Sequence, residues 1–261
     1  MLHSTCSPGK SSMYKRYLGH RDGVEKNVHE EDEITSTVIG PLDFLSPRDV
    51  FSFWHGVLAS SGKCEFLPKN YPSSADVRLW DSRITPPKGR RVEPDVRIDF
   101  SWPDGSKFTL LVEIKWRARL SGSDQLHAQW SEYLTEMERQ SALHLFIAVD
   151  TSAGSAAKEK ADVWNRRLVL VTWLQIRNVL ADIVRSDHGG FGRWAKVADG
   201  FLEKIGIRRF SGFHFLNEFK SPMPHDSRTL FWNSWCGWSE ISSNLQSVLS
   251  VGVDSIFFRI Q

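Results

Sequence analysis

Apolar residues recur at three- and four-residue steps through Ile34, Val38, Leu42 and Leu45, the period of a helix that buries one stripe. A second helical period passes through Val50, Phe53, Trp54 and Val57, and Ser46-Pro47 before it supplies a capping hydroxyl and a residue suited to the first turn. Residues 60–91 are polar and carry Pro68, Pro72, Pro86, Pro87 and Gly89, so an irregular connection with room for one strand is predicted there. Strict alternation follows: Val96, Ile98 and Phe100 share one face, while Asp95, Arg97 and Asp99 share the other. Phe108 to Trp116 is a dense apolar run, and Pro103-Asp104-Gly105 between the two segments is turn chemistry. The pattern predicts a β-hairpin.

Helical spacing over residues 123–140, through Leu126, Trp130, Leu134 and Met137, predicts one helix, and residues 143–149 read as a strand that is apolar on both faces. A loop into a short helix at 151–160, a strand at 168–171 and a helix at 173–184 complete an alternating order. That order predicts an α/β fold, a mixed central sheet flanked by helices. Residues 1–28 lack apolar periodicity and read as a polar lead-in, the core is expected over 29–185, and 186–261 form a C-terminal extension. The extension has helical spacing at 191–205, a strand-like segment at 210–219 and a Trp-rich tail without a period.

Composition narrows the function classes. Of 261 residues, 33 are Lys or Arg and 31 Asp or Glu, a net charge of +2 that gives no general affinity for nucleic acid, so such an affinity must come from local clusters. The longest apolar run, Leu145 to Val149, falls far short of the roughly 20 residues that span a bilayer. Residues 1–10 do not read as a secretory signal, and Cys6, Cys64 and Cys236 form neither a disulfide framework nor a thiolate zinc site. A reduced, cytoplasmic setting without membrane contact is the expectation. His55, His127, His144 and His214 lack metal-ligand spacing and read as structural, and Trp232, Trp235 and Trp238 read as packing residues. No Gly-rich phosphate loop with Lys-Ser/Thr is present.

The chemistry lies in the hairpin. Glu113 and Lys115 share a face of an apolar strand, where an unpaired charge is expensive. With three or five residues in the loop, residues whose numbers sum to 208 oppose each other, and Asp95 faces Glu113. A two-residue turn would turn Asp95 to the other face, but Pro103 cannot donate to a ladder and belongs in the loop. Opposed Cβ atoms lie about 4.5 to 5.5 Å apart, so two carboxylates there repel unless a positive group sits between them. A hard divalent cation meets that need, Mg²⁺ above all, with Mn²⁺ as an alternative. The competing reading is a structural Glu113–Lys115 pair with Asp95 at a strand entrance, and Asp99, on the same face as Asp95, is the alternative ligand.

Glu93-Pro94-Asp95, followed on the next strand by Glu113-Ile114-Lys115, resembles the PD-(D/E)XK nuclease superfamily. Gln129-Trp130-Ser131-Glu132-Tyr133 matches the Gln and Tyr pattern on the following helix of RecB-type members, and Glu31-Asp32-Glu33-Ile34-Thr35 matches the acidic element that opens the first core helix. The resemblance covers residues 30–180 and implies a restriction-endonuclease-like core of αβββαβ order. It implies that Asp95, Glu113 and the carbonyl of Ile114 hold the metal, and that Lys115 positions or deprotonates the attacking water. Glu31, chosen over Glu30 and Glu33 because Thr35, Val38 and Leu42 continue its face, would reach the metal through water or serve a second one. Gln129 and Tyr133, with Gln125 one turn earlier, would orient the scissile phosphate or the lysine.

Nine basic residues stand against five acids from Arg83 to Arg119, and Arg90, Arg91, Arg117 and Arg119 are the expected phosphate contacts. The leading expectation is a metal-dependent nuclease, DNA preferred over RNA, of a kind used in restriction, mobile-element or phage-defence systems, with a homodimer or a partner protein as candidate assemblies. The alternative is a noncatalytic module that keeps the fold to bind nucleic acid or protein.

Overall fold

The computed structural model describes residues 30–85, 90–116, 120, 122 and 124–209. Helix α1 (Glu30–Ile34) runs straight into a π-helical turn (Thr35–Ile39) and then a 3-10 turn (Gly40–Phe44), so the predicted apolar period persists while the helix changes pitch twice. Pro41 has no N–H to carry an α-helical ladder through this stretch. Helix α2 (Pro47–Ser60) begins as its sequence predicts, with Ser46 Oγ accepting the Asp49 amide at 3.2 Å.

The polar connection after α2 holds more structure than the one strand expected. It contains β1 (Ser74–Leu79), β2 (Arg83–Thr85) and β3 (Arg90–Val92). In β1 only Val77 and Leu79 are buried, too short an apolar signal to stand out in a sequence. The hairpin strands are β4 (Val96–Ser101) and β5 (Lys107–Ile114). Helix α3 (Gln125–Ala128), a second π-helical turn (Gln129–Tyr133) and α4 (Glu136–Gln140) follow. The single helix predicted over 123–140 is therefore broken. Leu134 is extended, and Thr135 and Glu138 close a capping box that restarts the helix, which turns Met137 out to solvent and off the apolar stripe. Strand β6 (Ala142–Ala148), α5 (Ser152–Lys160), β7 (Leu168–Thr172), α6 (Trp173–Ser186) and α7 (Gly190–Lys204) complete the described chain.

Five strands form one mixed sheet in the order β1-β4-β5-β6-β7, antiparallel as far as β5 and parallel beyond it, while β2 and β3 pair as a separate ribbon. Period-two alternation gives the sheet two buried faces. One presents Val96, Ile98, Phe100, Leu110, Val112, Leu145 and Val171 to α1, α2, α6 and α7. The other presents Leu111, Ala142, Phe146 and Leu168 to Leu126, Trp130, Tyr133 and Trp164. The result is an α/β fold with a mixed open sheet between helical layers.

The core continues past the boundary expected after residue 185. Phe191, Ala195, Ala198 and Leu202 of α7 join the first core, and Trp194 Nε1 donates to the Val38 carbonyl at 3.1 Å. Among the described residues no helix is long and apolar enough to cross a membrane. The strand-like segment at 210–219 and the Trp-rich tail lie outside the described residues.

Helix α7 starts against the end of α6, where Asp187 Oδ1 accepts the amides of Gly189 at 2.7 Å and Gly192 at 2.9 Å. A Cβ on Gly192 would lie 1.8 Å from the Asp187 carbonyl oxygen, whereas a Cβ on Gly200, in the same helix, meets nothing within 4 Å. Gly192→Ala is expected to lose about 1–3 kcal/mol through forced backbone movement. Gly200→Ala is expected to gain about 0.5–1 kcal/mol by lowering the entropy of the unfolded chain. Urea unfolding of the two variants checks both signs.

Candidate functional site

Backbone hydrogen bonding decides how the hairpin closes. Gly105 takes φ +84°, Asp104 Oδ1 accepts the Ser106 amide at 2.9 Å, and Trp102 N donates to Ser106 O at 3.0 Å, which leaves Pro103, Asp104 and Gly105 in the loop. Val96 then opposes Val112, Arg97 opposes Leu111 and Ile98 opposes Leu110, the register in which residue numbers sum to 208. One residue before β4, Asp95 arrives level with Glu113, and its Oδ2 accepts the Ile114 amide at 2.7 Å. Trp80, held at φ 55° at the end of β1, donates its amide to the Asp95 carbonyl at 3.0 Å and pins the chain there.

Three carboxylates meet at this point. One oxygen each of Glu31, Asp95 and Glu113 lie within 4.8 Å of one another, and it is Glu31 rather than Glu33 that α1 delivers to the cluster. Lys115 joins them from just beyond β5, with Nζ 2.6 Å from Glu113 Oε1 and 2.7 Å from Glu31 Oε1. Its carbonyl accepts the Trp173 indole N–H at 3.2 Å, which anchors the main chain at that position. Gln125 and Gln129, one turn apart, donate their Nε2 groups to Glu113 Oε1 at 2.7 Å and Oε2 at 2.6 Å. Glu113 is 1% exposed and Asp95 8%.

Burial, then the neighbouring Glu113 carboxylate, pushes Asp95 well above the ordinary carboxyl range. Burial raises Glu113 too, against the pull of Lys115 and the Gln129 amide. For Lys115 burial favours the neutral amine, but the carboxylates of Glu113, Asp95 and Glu31 outweigh it and hold the ammonium above the normal lysine value.

Not every expected residue comes to the cluster. Tyr133 lies four residues beyond Gln129, but the widened π-helical turn rotates it away, and its hydroxyl donates to Asp81 Oδ2 at 2.6 Å beneath the Arg83 guanidinium. Asp99, the alternative ligand, is also elsewhere. It pairs with Arg78 and with Arg97 at 2.7 Å, and it accepts Thr109 Oγ1 at 2.6 Å. Arg91 pairs with Glu93 at 2.5 Å and is exposed, Arg90 sits opposite Thr85 in the β2–β3 ribbon, and Arg117 and Arg119 lie outside the described residues. The sequence reading did not connect His144 to the site, yet its imidazole bonds to Gln129 at 3.1 Å. Only the packing of β6 beside β5 brings these two residues together.

No protein-family model, curated protein or solved structure matches this chain.

A groove of about 780 Å³ between α2 and α6, lined by Arg48, Ser52, Tyr71, Asn178, Asp182 and Phe191 among others, contains none of the cluster residues. The cluster itself suits a hard cation. Its donors are all oxygens, Glu31 Oε2 is buried without a hydrogen-bond partner among the described residues, and three carboxyl groups face one ammonium, an excess of two negative charges when all three are ionised.

A carboxyl that holds its proton more tightly folded than unfolded loses stability as the pH rises between the two pKa values. Asp95 and Glu113 work in this direction, while His144, which burial pushes down to about 3, works in the opposite one, so the informative quantity is a difference between variants. Asp95→Asn keeps an acceptor for the Ile114 amide and removes one buried charge. In chelator at neutral pH it is expected to be more stable than wild type by about 0.5–2 kcal/mol, a gain common when a functional site is relaxed. The gap is expected to close as the pH falls toward the ordinary carboxyl range, and denaturant titrations at several pH values measure it.

Proposed function

We propose that this chain is a metal-dependent nuclease of the PD-(D/E)XK type, which hydrolyses phosphodiester bonds with DNA as the preferred substrate. The observation that carries the reading is the convergence of Glu31, Asp95, Glu113 and Lys115 from three segments of the sequence, two positive charges short of balance and with one buried carboxylate oxygen unpartnered among the described residues. A structural ion pair alone would have no need of Asp95 and Glu31 beside Glu113. Burying them costs stability unless a ligand repays it.

Asp95, Glu113, Glu31 and the Ile114 carbonyl would hold Mg²⁺, or Mn²⁺ in its place. When bound, such an ion supplies a Lewis acid for a phosphoryl oxygen and a bound water of lowered pKa. Lys115 is held protonated by its neighbours, so in this reading its part is electrostatic: it donates to the attacking water and to charge that builds on the phosphate. Gln125 and Gln129 keep Glu113 in one orientation by donating to both of its oxygens. Arg90 and Arg91 lie on the ribbon that leads through Glu93-Pro94 directly into Asp95, a placement suited to holding the substrate backbone beside the carboxylates.

Plasmid, linear duplex, single strands and RNA offered with Mg²⁺ or Mn²⁺ test the reading. Cleavage is expected to stop in EDTA. Lys115→Ala is expected to abolish turnover while substrate binding, measured in Ca²⁺, stays near wild type, because other groups hold the phosphates. Wild-type cleavage by Lys115→Ala removes the assignment, and binding without cleavage of any substrate favours a noncatalytic module. Neutralising Arg90 and Arg91 is expected to flatten the salt dependence of duplex affinity by about 0.9 in the log–log slope per lost phosphate contact. Titrations at four salt concentrations read that slope.

A further inference from the structure

The carboxamide of Gln129 can present either its NH₂ or its oxygen to Glu113, and the difference matters because a carboxylate only accepts. The orientation is set from the far side. Trp164 is 1% exposed, and its Nε1 lies 3.0 Å from His144 Nδ1. An indole nitrogen only donates, so Nδ1 must be the bare nitrogen of the ring. A neutral imidazole then carries its proton on Nε2, which lies 3.1 Å from Gln129 Oε1. With Oε1 engaged as the acceptor, the amide nitrogen faces Glu113 Oε2 at 2.6 Å. Each step allows one direction only.

The surroundings keep His144 in this state. The ring is fully buried, stacks on Trp130 with an interplanar angle of 6°, and stays neutral because burial, helped by His127, holds it far below the usual histidine range. Strand β6 supplies the place: His144 lies opposite Leu111 of β5, on the sheet face that also carries Glu113.

We infer that His144 and Trp164 are positioning residues of the carboxylate cluster, acting through Gln129 to hold Glu113 in the orientation from which it takes a cation. The inference rests on reading the cluster as a cation site. Removing the His144 donor leaves the Gln129 amide free to turn its oxygen toward Glu113, which sets two acceptors against each other in a buried place.

The test uses the full chain and Mn²⁺ as the probe. Long-range ¹H–¹⁵N spectra of the metal-free protein report the His144 tautomer directly, and protonation at Nε2 is expected. Calorimetry then gives the Mn²⁺ affinity of wild type, Trp164→Phe, His144→Phe, His144→Gln, Gln129→Ala and the His144→Phe/Gln129→Ala double variant, each at a temperature where thermal melts show it folded. His144→Phe is expected to weaken Mn²⁺ binding by about tenfold, as loss of an outer partner of a metal ligand commonly does. His144→Gln, which can accept from the indole and donate to Gln129, is expected to recover most of the affinity, and the double variant to bind no more weakly than Gln129→Ala alone. If His144→Phe does not fold, Trp164→Phe decides: a second His144 tautomer together with weaker Mn²⁺ binding supports the inference. A wild-type proton on Nδ1, wild-type affinity in the variant that decides, or additive losses in the double variant overturns it. A wild type that takes up no Mn²⁺ overturns the cation reading itself, and the positioning role with it.

Discussion

Six residue pairs join β4 to β5, and the three-residue turn that closes them brings Asp95 level with Glu113. A slip of one residue would carry Asp95 to the apolar face and Val96 into the polar zone, with the whole strand inverted. Because the opposite face packs Val96, Ile98 and Phe100 into the main core, the register cannot relax to separate the carboxylates. The fold therefore holds two acidic groups together by the same packing that stabilises it. It offsets their repulsion locally, with Lys115, Gln125 and Gln129 on Glu113 and the Ile114 amide on Asp95.

Farther along the same face lies a second charged zone of different character. Arg97 bonds Asp99 and Glu138, Arg83 bonds Glu138 through both terminal nitrogens, Arg78 meets Asp81 and Asp99, and Tyr133 donates to Asp81. Here cations and anions answer one another across β1, β2, β4 and α4, and against the effect of burial the bonds from Arg83, the Thr135 amide and Arg97 pull Glu138 down to about 2. Such a network balances its charges from within, although Arg97 Nη1 is buried without a hydrogen-bond partner among the described residues. The Asp95 cluster, with one ammonium among three carboxylates, lacks that balance, and the contrast between neighbouring zones separates a structural ion network from a candidate site.

Local signals were legible in the residues themselves. Ser46-Pro47 predicts the start of α2, Pro103-Asp104-Gly105 predicts the hairpin with a loop of three or five residues, and alternation about that turn predicts that Asp95 faces Glu113. The α/β order was legible for the same reason, since apolar period depends on neighbours in the chain. Thr135 to Glu138 carried a capping signal that the longer apolar period obscured, and β1 was missed because an edge strand with two buried residues has little period to show.

What depended on contacts distant in sequence had to come from the tertiary structure. Glu31 reaches Lys115 across 84 residues: the phase of its apolar stripe singled it out in the sequence, but the pairing with Lys115 exists only where α1 meets the end of β5. Tyr133 fits the Gln129 pattern in sequence, yet the π-helical turn sends it to Asp81. His144 looks like a core histidine, and it is one, but the pairing of β6 with β5 sets it behind Gln129. The order of residues was enough for the α/β class, the hairpin around Pro103-Asp104-Gly105 and the Asp95–Glu113 opposition, because backbone alternation and turn chemistry act over a few residues. The departure of Tyr133, the arrival of His144 and the break at Leu134 were settled by the fold instead, because helix pitch and strand neighbours follow from packing between segments that are far apart in the chain.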